Sequence, residues 1–394
     1  MLPSYYEFIN PVKIVSGNKA VDNIPYELNQ LGVKRPMIVT DQGVVMAGLL
    51  KVVENAIADS ELAIGAVYDT TPPDSSLEVV KEIAGIYRSN RCDSFIAIGG
   101  GSSMDTAKGV NIAITENSDD LSRFIGAEML KNRLQPFVAI PTTAGTGSEV
   151  TSVAVISDTE NNVKMPFTSH YLLPNVAILD PRMTLTLPPK LTAATAMDAM
   201  THAIESFINL QKNPMSDAYA TAAIKIIREN VVNAVKNGKD ADTRLALANA
   251  ATMAGIAFSN SMVGLVHSLG HATGGICHVP HGIAMSIFLP FGMEYNLEKA
   301  RGVIGELLLP LGGSELFACT PKTSRAEAAI KIVRKLQTDL YSFCGLPMTL
   351  KDAGVPRNKL EQIAQAVMDD GALTFNPEAV NQADALRVLK MAYE

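Results

Sequence analysis

The order of apolar and helical segments in the first half of the chain restricts its fold more than any other feature. Up to about residue 185, short apolar runs alternate with segments of helical periodicity, such as 76-SLEVVKEIAGIYRSN-90. Strands that alternate with helices form a parallel sheet with helices on both faces. We therefore predict an α/β domain, in which 150–159 departs from the rhythm and forms one arm of a hairpin. The predicted strands are 37-MIVT-40, 62-LAIGAVY-68, 95-FIAIG-99 and 137-FVAIP-141.

The character of the chain changes after Pro188 and Pro189. From this point Ala-rich segments carry apolar residues at helical spacing, and strand-like alternation is nearly absent. The two prolines suit the turn before a first helix, and Gly238 suits the end of a later one. The predicted architecture is an α/β domain over 1–187 with a mostly parallel sheet, followed by an all-helical domain over 188–394.

Composition excludes several classes of protein. The formal net charge is −7 and no basic run occurs, which argues against nucleic-acid binding because that function needs clustered Lys and Arg. The first residues include no basic region and no long apolar region, and no apolar stretch of about 18 residues follows, so we expect no signal peptide and no membrane span. The scattered cysteines predict free thiols in a cytoplasmic protein, with Cys277 as a minor candidate for a metal ligand. They are Cys92, Cys277, Cys319 and Cys344.

Two turns of small and polar residues follow predicted strands and favour a nucleotide site. They are 99-GGGSSMDTAKG-109 and 141-PTTAGTGSEVT-151. Glycines let a phosphate approach the backbone, and the first N–H groups of a helix bind anions. Either turn alone is also compatible with a purely structural role. Two of them together are typical of the ligand site beyond the carboxyl ends of strands in an open α/β sheet.

Asp41 follows another predicted strand and suggests which dinucleotide is preferred. A carboxylate at this place can accept hydrogen bonds from ribose hydroxyls and would repel a 2′-phosphate. The alternative is an aspartate that only caps the turn before Gly43. The spacing leaves both interpretations open.

Histidines and carboxylates in the helical half predict a metal site. The candidates are Asp198, His202 and Glu205 in one segment and His267, His271 and His281 in another. Residues four apart in a helix project from one face, which brings together Asp198 with His202 and, separately, His267 with His271. A carboxylate with two or three imidazoles suits Fe²⁺ or Zn²⁺. A lone histidine on an apolar face is usually a packed core residue, and spacing alone leaves open which histidines bind.

Four motifs together resemble those of the iron-containing, group III alcohol dehydrogenases. They are GGGSSMDTAK, PTTAGTGSE, AATAMDAMTHAIES and HSLGHATGGICHVPHG, and they occur in the family's order over nearly the whole chain. The resemblance implies hydride transfer between a short-chain primary alcohol or diol, or its aldehyde, and NAD(H), with NADP less favoured. It also implies bound Fe²⁺, with Zn²⁺ as the alternative, and a homodimer or larger homo-oligomer that acts on a small molecule.

The resemblance also implies a role for individual residues. The implied metal ligands are Asp198, His202, His267 and His281, and the implied catalytic residue is His271 beside the metal, as a proton relay or as a residue that orients a ligand. The implied cofactor-binding residues are Asp41, Gly100, Gly101, Ser102, Asp105, Thr142, Thr143, Thr146, Thr151 and Lys164. Asp74 stands where many relatives carry an asparagine, which leaves its role open. His278 has no implied role, and Gly274 with Gly275 is expected to end a helix before His281.

Two rival functions share this sequence pattern. A glycerol-type polyol dehydrogenase or a dehydroquinate-synthase-like lyase would use the same fold with a different reaction. The lyase needs several Lys or Arg near the metal for a substrate phosphate, and the basic residues between 190 and 290 lie away from the histidine motifs. They are Lys190, Lys212, Lys225, Arg228, Lys236, Lys239 and Arg244. A metal- or nucleotide-binding protein without turnover is a further alternative, against which the intact set of matched ligands argues.

Overall fold

The computed structural model describes residues 3–159 and 163–394, which divide into two compact units. One unit covers 9–187 and contains all strands of the described residues. The other covers 188–394, together with the described residues up to Phe8, and is helical. The predicted fold class, an α/β unit with a parallel sheet followed by an all-helical unit, is confirmed.

The first unit is built on a six-stranded sheet with the order β1-β9-β6-β4-β2-β3, in which every paired strand is parallel to its neighbour. A smaller sheet, β5-β8-β7, contains the antiparallel pair β7–β8, which confirms the predicted hairpin. The strands are β1 (Lys13–Ser16), β2 (Pro36–Val39), β3 (Ala66–Tyr68), β4 (Ser94–Gly99), β5 (Gly126–Ala127), β6 (Phe137–Pro141), β7 (Val153–Asp158), β8 (Val163–Thr168) and β9 (Val176–Leu179).

Side chains alternate across the central strands and fill a core on each face of the large sheet. On β4, Phe95 and Ala97 lie in one buried cluster, while Ile96 and Ile98 lie in another. This arrangement explains why the strand is an uninterrupted apolar run, since both faces are covered by helices. The helices of this unit are α1 (Ile24–Gln30), α2 (Gln42–Met46), α3 (Leu49–Ala58), α4 (Leu77–Ser89) and α5 (Gly101–Thr115).

The second unit packs its helices around α6, in which nearly every side chain from Thr192 to Ile208 is buried. The small alanine side chains allow neighbouring helices to approach α6 from several directions. None of the helices in the described residues is long and apolar enough to cross a membrane. The helices are α6 (Pro189–Ile208), α7 (Pro214–Lys236), α8 (Ala241–Ser259), α9 (Leu265–Cys277), α10 (His281–Tyr295), α11 (Leu297–Glu306), α12 (Leu308–Gly312), α13 (Ser314–Cys319), α14 (Arg325–Cys344), α15 (Leu360–Val367) and α16 (Gln382–Met391).

The end of α9 differs from the prediction. Helix α9 continues through Gly274 and Gly275 to Cys277, and His278 closes it in the left-handed conformation with φ of 56°. The expected helix end at the two glycines is therefore wrong. Each glycine disfavours a helix by only about 1 kcal/mol, and the apolar residues of α9 share a buried core with α10 and α15 that outweighs this cost. His281 begins α10 directly after Pro280.

Candidate functional site

Three helices of the second unit bring four potential metal ligands together. Asp198 and His202 lie one turn apart on α6, His267 lies in the first turn of α9, and His281 is the first residue of α10. One ligand atom from each side chain lies within 4.8 Å of the corresponding atoms of the other three. The side chain of His281 is 40% exposed while the other three are buried, so the cluster is open on the His281 side.

A glycine allows α10 to begin at this place. A Cβ atom on Gly282 would lie 2.4 Å from the carbonyl oxygen of Ala194, which is a severe overlap with the backbone of α6. Only glycine permits this close approach. The approach brings His281 beside Asp198, with 3.2 Å between His281 Nε2 and Asp198 Oδ1.

The cluster contains buried polar atoms that fit a divalent cation. His202 Nδ1 and His267 Nε2 are buried and have no hydrogen-bond partner within the described part of the chain. A buried polar atom without a partner costs about 1–3 kcal/mol. Asp198 Oδ1 lies 3.8 Å from His202 Nδ1, so carboxylate and imidazole donors face the same small volume. One carboxylate and three imidazoles match the donor set that iron and zinc accept.

Burial also sets the protonation states that a metal requires. It lowers the pKa of His202 to about 3 and the pKa of His267 well below its usual range. Burial acts to raise the pKa of Asp198, but the imidazoles of His202 and His281 more than offset it, so this pKa lies below the usual range. His202 and His267 are therefore neutral and Asp198 is ionised near pH 7. These are the forms that bind a divalent ion without first releasing a proton.

Glu205 is a buried residue of α6 that lies next to this cluster, one turn after His202. Its carboxylate accepts hydrogen bonds from the Val266 N–H at 2.7 Å and from His267, whose Nδ1 lies 2.5 Å away. Burial raises the pKa of Glu205 to about 7. The sequence placed this residue near the face of Asp198 and His202 but gave no sign of its link to His267, which is 62 positions away.

His271 lies beside the four clustered side chains and outside them. Its ring stacks against that of His281, with 5.4 Å between the ring centroids, and its side chain is 48% exposed. Its Nδ1 lies 2.7 Å from Oδ2 of Asp370. The other oxygen of Asp370, Oδ1, accepts the Ala372 N–H at 2.8 Å and caps a 3-10 turn. Sequence reasoning did not find Asp370, because nothing local marks a partner 99 positions away.

In the first unit, the predicted nucleotide residues gather at the carboxyl ends of β2, β4 and β6. These strands are neighbours in the sheet, and the Thr142 N–H donates to the Gly99 carbonyl at 2.9 Å. A Cβ on Gly100 would lie 3.3 Å from Thr143 Oγ1, and one on Gly101 would lie 3.2 Å from Thr146 Cγ2. The two small-residue turns therefore face each other at the start of α5.

Asp41 caps one of the helices that begin at this edge of the sheet. Its Oδ1 accepts the Val44 N–H at 3.0 Å at the start of α2, and its Oδ2 accepts the Ser103 hydroxyl at 3.1 Å. The side chain is half-buried. The capping role suggested by the sequence is thus present, and it does not exclude further hydrogen bonds from a bound ribose.

Asp105 and Thr151 point to partners inside the unit. Asp105 accepts hydrogen bonds from the Ser148 hydroxyl at 2.9 Å and from the Val155 N–H at 3.1 Å. Thr151 binds Lys108 Nζ through its carbonyl oxygen at 2.9 Å and its hydroxyl at 3.0 Å. Burial lowers the pKa of Lys108 to about 8. Lys108 lies in the glycine-rich motif but was not among the predicted site residues, and its hydrogen bonds connect α5 to the turn 141–151.

Two further residues lie at the edge of this region. Lys164 Nζ is 3.8 Å from Asp74 Oδ1, and both side chains are largely exposed. The Ser102 hydroxyl donates to the Pro73 carbonyl. The carboxylate of Asp74 therefore has a cationic partner, which offsets its charge near the predicted pyrophosphate site.

Small-residue turns at the carboxyl ends of the strands of a sheet unit, and a cluster of potential metal ligands in a helical unit, are features of a metal-dependent dehydrogenase. The model for iron-containing alcohol dehydrogenase matches residues 11–181, and the model for the C-terminal part of the Fe-containing alcohol dehydrogenase family matches residues 192–393. The chain belongs to the iron-containing alcohol dehydrogenase family. The resemblance found in the sequence is thereby confirmed.

Individual relatives match over nearly their full length. The chain is 35% identical to an NAD-dependent methanol dehydrogenase of Bacillus methanolicus, over 98% of this chain and 99% of the relative. It is 33% identical to a 1,3-propanediol dehydrogenase of Klebsiella pneumoniae, over 98% and 99% of the two chains. The crystal structure of a 1,3-propanediol oxidoreductase superposes with a TM-score of 0.94 at 33% identity, covering 99% of this chain and 100% of the other.

Proposed function

We propose that this protein transfers a hydride between a short-chain primary alcohol or diol, or the corresponding aldehyde, and NAD(H). The predicted alcohol dehydrogenase activity, with NAD and iron as cofactors, is confirmed at the level of the family. The observation that carries the proposal is the buried cluster of Asp198, His202, His267 and His281. It favours a metal-dependent reaction, since a buried donor set whose nitrogens lack a partner among the described residues stabilises an ion and not the empty fold.

In this proposal the four clustered side chains are the metal ligands. Asp198 supplies the negative charge, and the three histidines supply neutral nitrogen donors. When bound, the ion lowers the pKa of an alcohol oxygen and polarises an aldehyde carbonyl, and NAD accepts or returns the hydride. The exposed side of the cluster at His281 is the side from which a small alcohol can approach.

His271 is the proposed catalytic residue, with a role in moving the proton. Asp370 accepts its Nδ1–H, which leaves Nε2 as the atom that can take up or release a proton. Its half-exposed side chain connects the site to water. Asp370 is a positioning residue in this arrangement, because it holds the imidazole ring against that of His281.

The proposed cofactor residues fall into two groups. Gly100 immediately precedes α5, and Gly101 and Ser102 begin it, where backbone N–H groups can bind the pyrophosphate. Asp41 can accept hydrogen bonds from the ribose. Thr142, Thr143, Thr146 and Lys164 are assigned to the nicotinamide half. Asp105 and Thr151 hold the second turn in place through Ser148 and Lys108, so their proposed effect on the cofactor is indirect.

The organisation of the whole protein is also part of the proposal. Residues 1–187 form the cofactor domain and 188–394 the metal domain. Small alcohols and aldehydes are the partners, as the family indicates. A homodimer or larger homo-oligomer in the cytoplasm is the state that we propose for the working enzyme.

Metal reconstitution combined with a substrate panel tests the proposal. Protein purified without oxygen and stripped of metal should regain activity with one equivalent of Fe²⁺ or Zn²⁺ per chain, because the cluster offers one site. NADH absorbance at saturating cofactor is followed with methanol, ethanol, 1,3-propanediol, glycerol and their aldehydes.

Phosphate release from a phosphorylated substrate serves as the control for a lyase. Metal-dependent NADH formation with a primary alcohol supports the proposal. Phosphate release without NADH formation, or turnover that is independent of metal, contradicts it.

A further inference from the structure

Glu205 accepts hydrogen bonds from N–H groups at the start of α9. Its Oε1 accepts the Val266 N–H at 2.7 Å. Its Oε2 lies 3.3 Å from the backbone nitrogen of His267 and 2.5 Å from Nδ1 of the same residue. The Glu205 and His267 side chains are each only 3% exposed. Both oxygens of one buried carboxylate are therefore committed to a single helix end and to the ring that it carries.

The contact with the ring determines which nitrogen of His267 can bind a cation. A carboxylate oxygen accepts hydrogen bonds, so the proton of the neutral imidazole lies on Nδ1. Nε2 then carries the lone pair, and it is the buried nitrogen that lacks a partner within the described residues. The other tautomer would place a proton on Nε2, where it would block a metal ligand.

We propose that Glu205 is a positioning residue that fixes His267 in the tautomer and orientation required for metal binding. This inference rests on the proposed function, since it concerns the same metal site. Glu205 hydrogen-bonds to the cluster through His267 and is not itself one of the four clustered ligands. Its carboxylate raises the basicity of the imidazole that faces the ion, a role that hydrogen-bonded carboxylates have in many metal sites.

A purely structural role is the competing explanation, because Glu205 also caps α9. The substitution Glu205→Gln separates the two. A glutamine has one acceptor and one donor group. If its oxygen accepts from Val266, its NH₂ group faces His267 Nδ1 and forces the proton onto Nε2. If its oxygen faces Nδ1, the NH₂ group opposes the Val266 N–H. Either orientation disturbs the helix end and weakens the metal site: the first removes the metal-binding lone pair, and the second replaces the carboxylate that raises the basicity of the imidazole with a neutral amide.

Asn376 offers a matched control at the same helix end. Its Oδ1 accepts the Leu265 N–H at 3.2 Å, one residue before Val266. A Cβ on Gly264 would lie 2.9 Å from this oxygen and 3.3 Å from Glu205 Oε1. The side chains of Asn376 and Glu205 are therefore both packed closely against the start of α9. Asn376→Ala therefore removes a capping acceptor from α9 and leaves the hydrogen bond of His267 Nδ1 in place.

The test compares metal affinity in the full-length protein. Dissociation constants for Zn²⁺ are measured by competition with a chromogenic chelator in wild type, Glu205→Gln and Asn376→Ala, and the thermal unfolding of each metal-free protein is recorded. We expect Glu205→Gln to bind Zn²⁺ about 10–100-fold more weakly and Asn376→Ala to bind within about twofold of wild type, although both unfold at lower temperature. Equal affinity in Glu205→Gln and wild type, or equal losses in the two variants, would overturn the proposal.

A measurement on the wild type keeps the proposal falsifiable if Glu205→Gln does not fold. In protein labelled with ¹⁵N-histidine and loaded with Zn²⁺, the His267 signal should show a proton on Nδ1 and none on Nε2. A proton on Nε2 overturns the inference. A wild type that binds no Zn²⁺ contradicts the proposed function itself, whereas binding that is insensitive to Glu205 contradicts only the role of Glu205.

Discussion

Replacing His267 by alanine should abolish stoichiometric metal binding and lower kcat/KM by on the order of 10³ or more while the protein stays folded. The loss follows from the geometry, since His267 supplies one of the four donor atoms within 4.8 Å of one another, and its Nε2 is deeply buried. A bound divalent ion supplies several kcal/mol of stabilisation to the reaction, and about 4 kcal/mol corresponds to a factor of about 10³ in rate. The fold should survive because Glu205 still accepts the Val266 N–H and so still caps α9.

Metal analysis and steady-state kinetics on the same preparation check this result. His170→Ala is the matched control, because this histidine lies in the other unit, is half-exposed and pairs with Glu128 at 2.8 Å. The control should keep one equivalent of metal and wild-type activity. Full activity with one metal per chain in His267→Ala would remove this residue from the ligand set. Far-ultraviolet circular dichroism, unchanged in both variants, shows that a loss of metal is not a loss of fold.

The sheet unit was the easier part to predict. Strands β4 and β6 are apolar on both faces, so an uninterrupted run such as 137-FVAIP-141 marks them directly. Strands β1 and β9 were missed. β1 lies at the edge of the sheet and is largely exposed, so its residues need not be apolar. β9 is a buried apolar run of only four residues, and periodicity alone does not distinguish such a run in a strand from one in a buried helix.

Local sequence patterns predicted the candidate site less completely than the sheet. Spacing of four residues placed Asp198 and His202 on one face of α6, and the structure has them there. The same rule would pair His267 with His271, but only the former points into the cluster. The remaining member of the cluster is His281. It lies beside Asp198 because Gly282 lets α10 approach the backbone of α6. Such an approach depends on two helices that are distant in sequence, and no local pattern encodes it.

The residues that support the site were harder still to find. Glu205 binds His267 and Asp370 binds His271 across separations of 62 and 99 positions. Lys108 is a lysine inside a motif of small residues, and sequence alone suggests that its amine faces solvent or a phosphate. The structure buries it completely against Thr151 and Val153. A buried amine with several oxygen partners is stable only in the finished fold, so its role follows from tertiary contacts.

Removing the carboxylate of Asp41 should shift the preference from NAD toward NADP, by about 100-fold in the ratio of kcat/KM values. The 2′-phosphate of NADP carries up to two negative charges, and a like charge about 4 Å away costs on the order of 2–3 kcal/mol in a half-buried setting. The expected result is a higher kcat/KM with NADP and a somewhat lower one with NAD, which loses the acceptor for its ribose hydroxyls. Asp41→Gly is the direct substitution, measured with both cofactors at a fixed saturating alcohol concentration.

Asp41→Ser separates charge from helix capping. Asp41 Oδ1 caps α2 through the Val44 N–H, and glycine lacks a side chain to replace this bond, whereas serine can accept it. The Ser103 hydroxyl loses its carboxylate acceptor in both variants. Both should therefore change cofactor preference to a similar extent, and Asp41→Gly should also unfold at a slightly lower temperature. A shift seen only in Asp41→Gly would assign the effect to the loosened start of α2. An unchanged ratio in both variants would show that the carboxylate does not face the ribose, because charge removal beside a 2′-phosphate cannot be neutral.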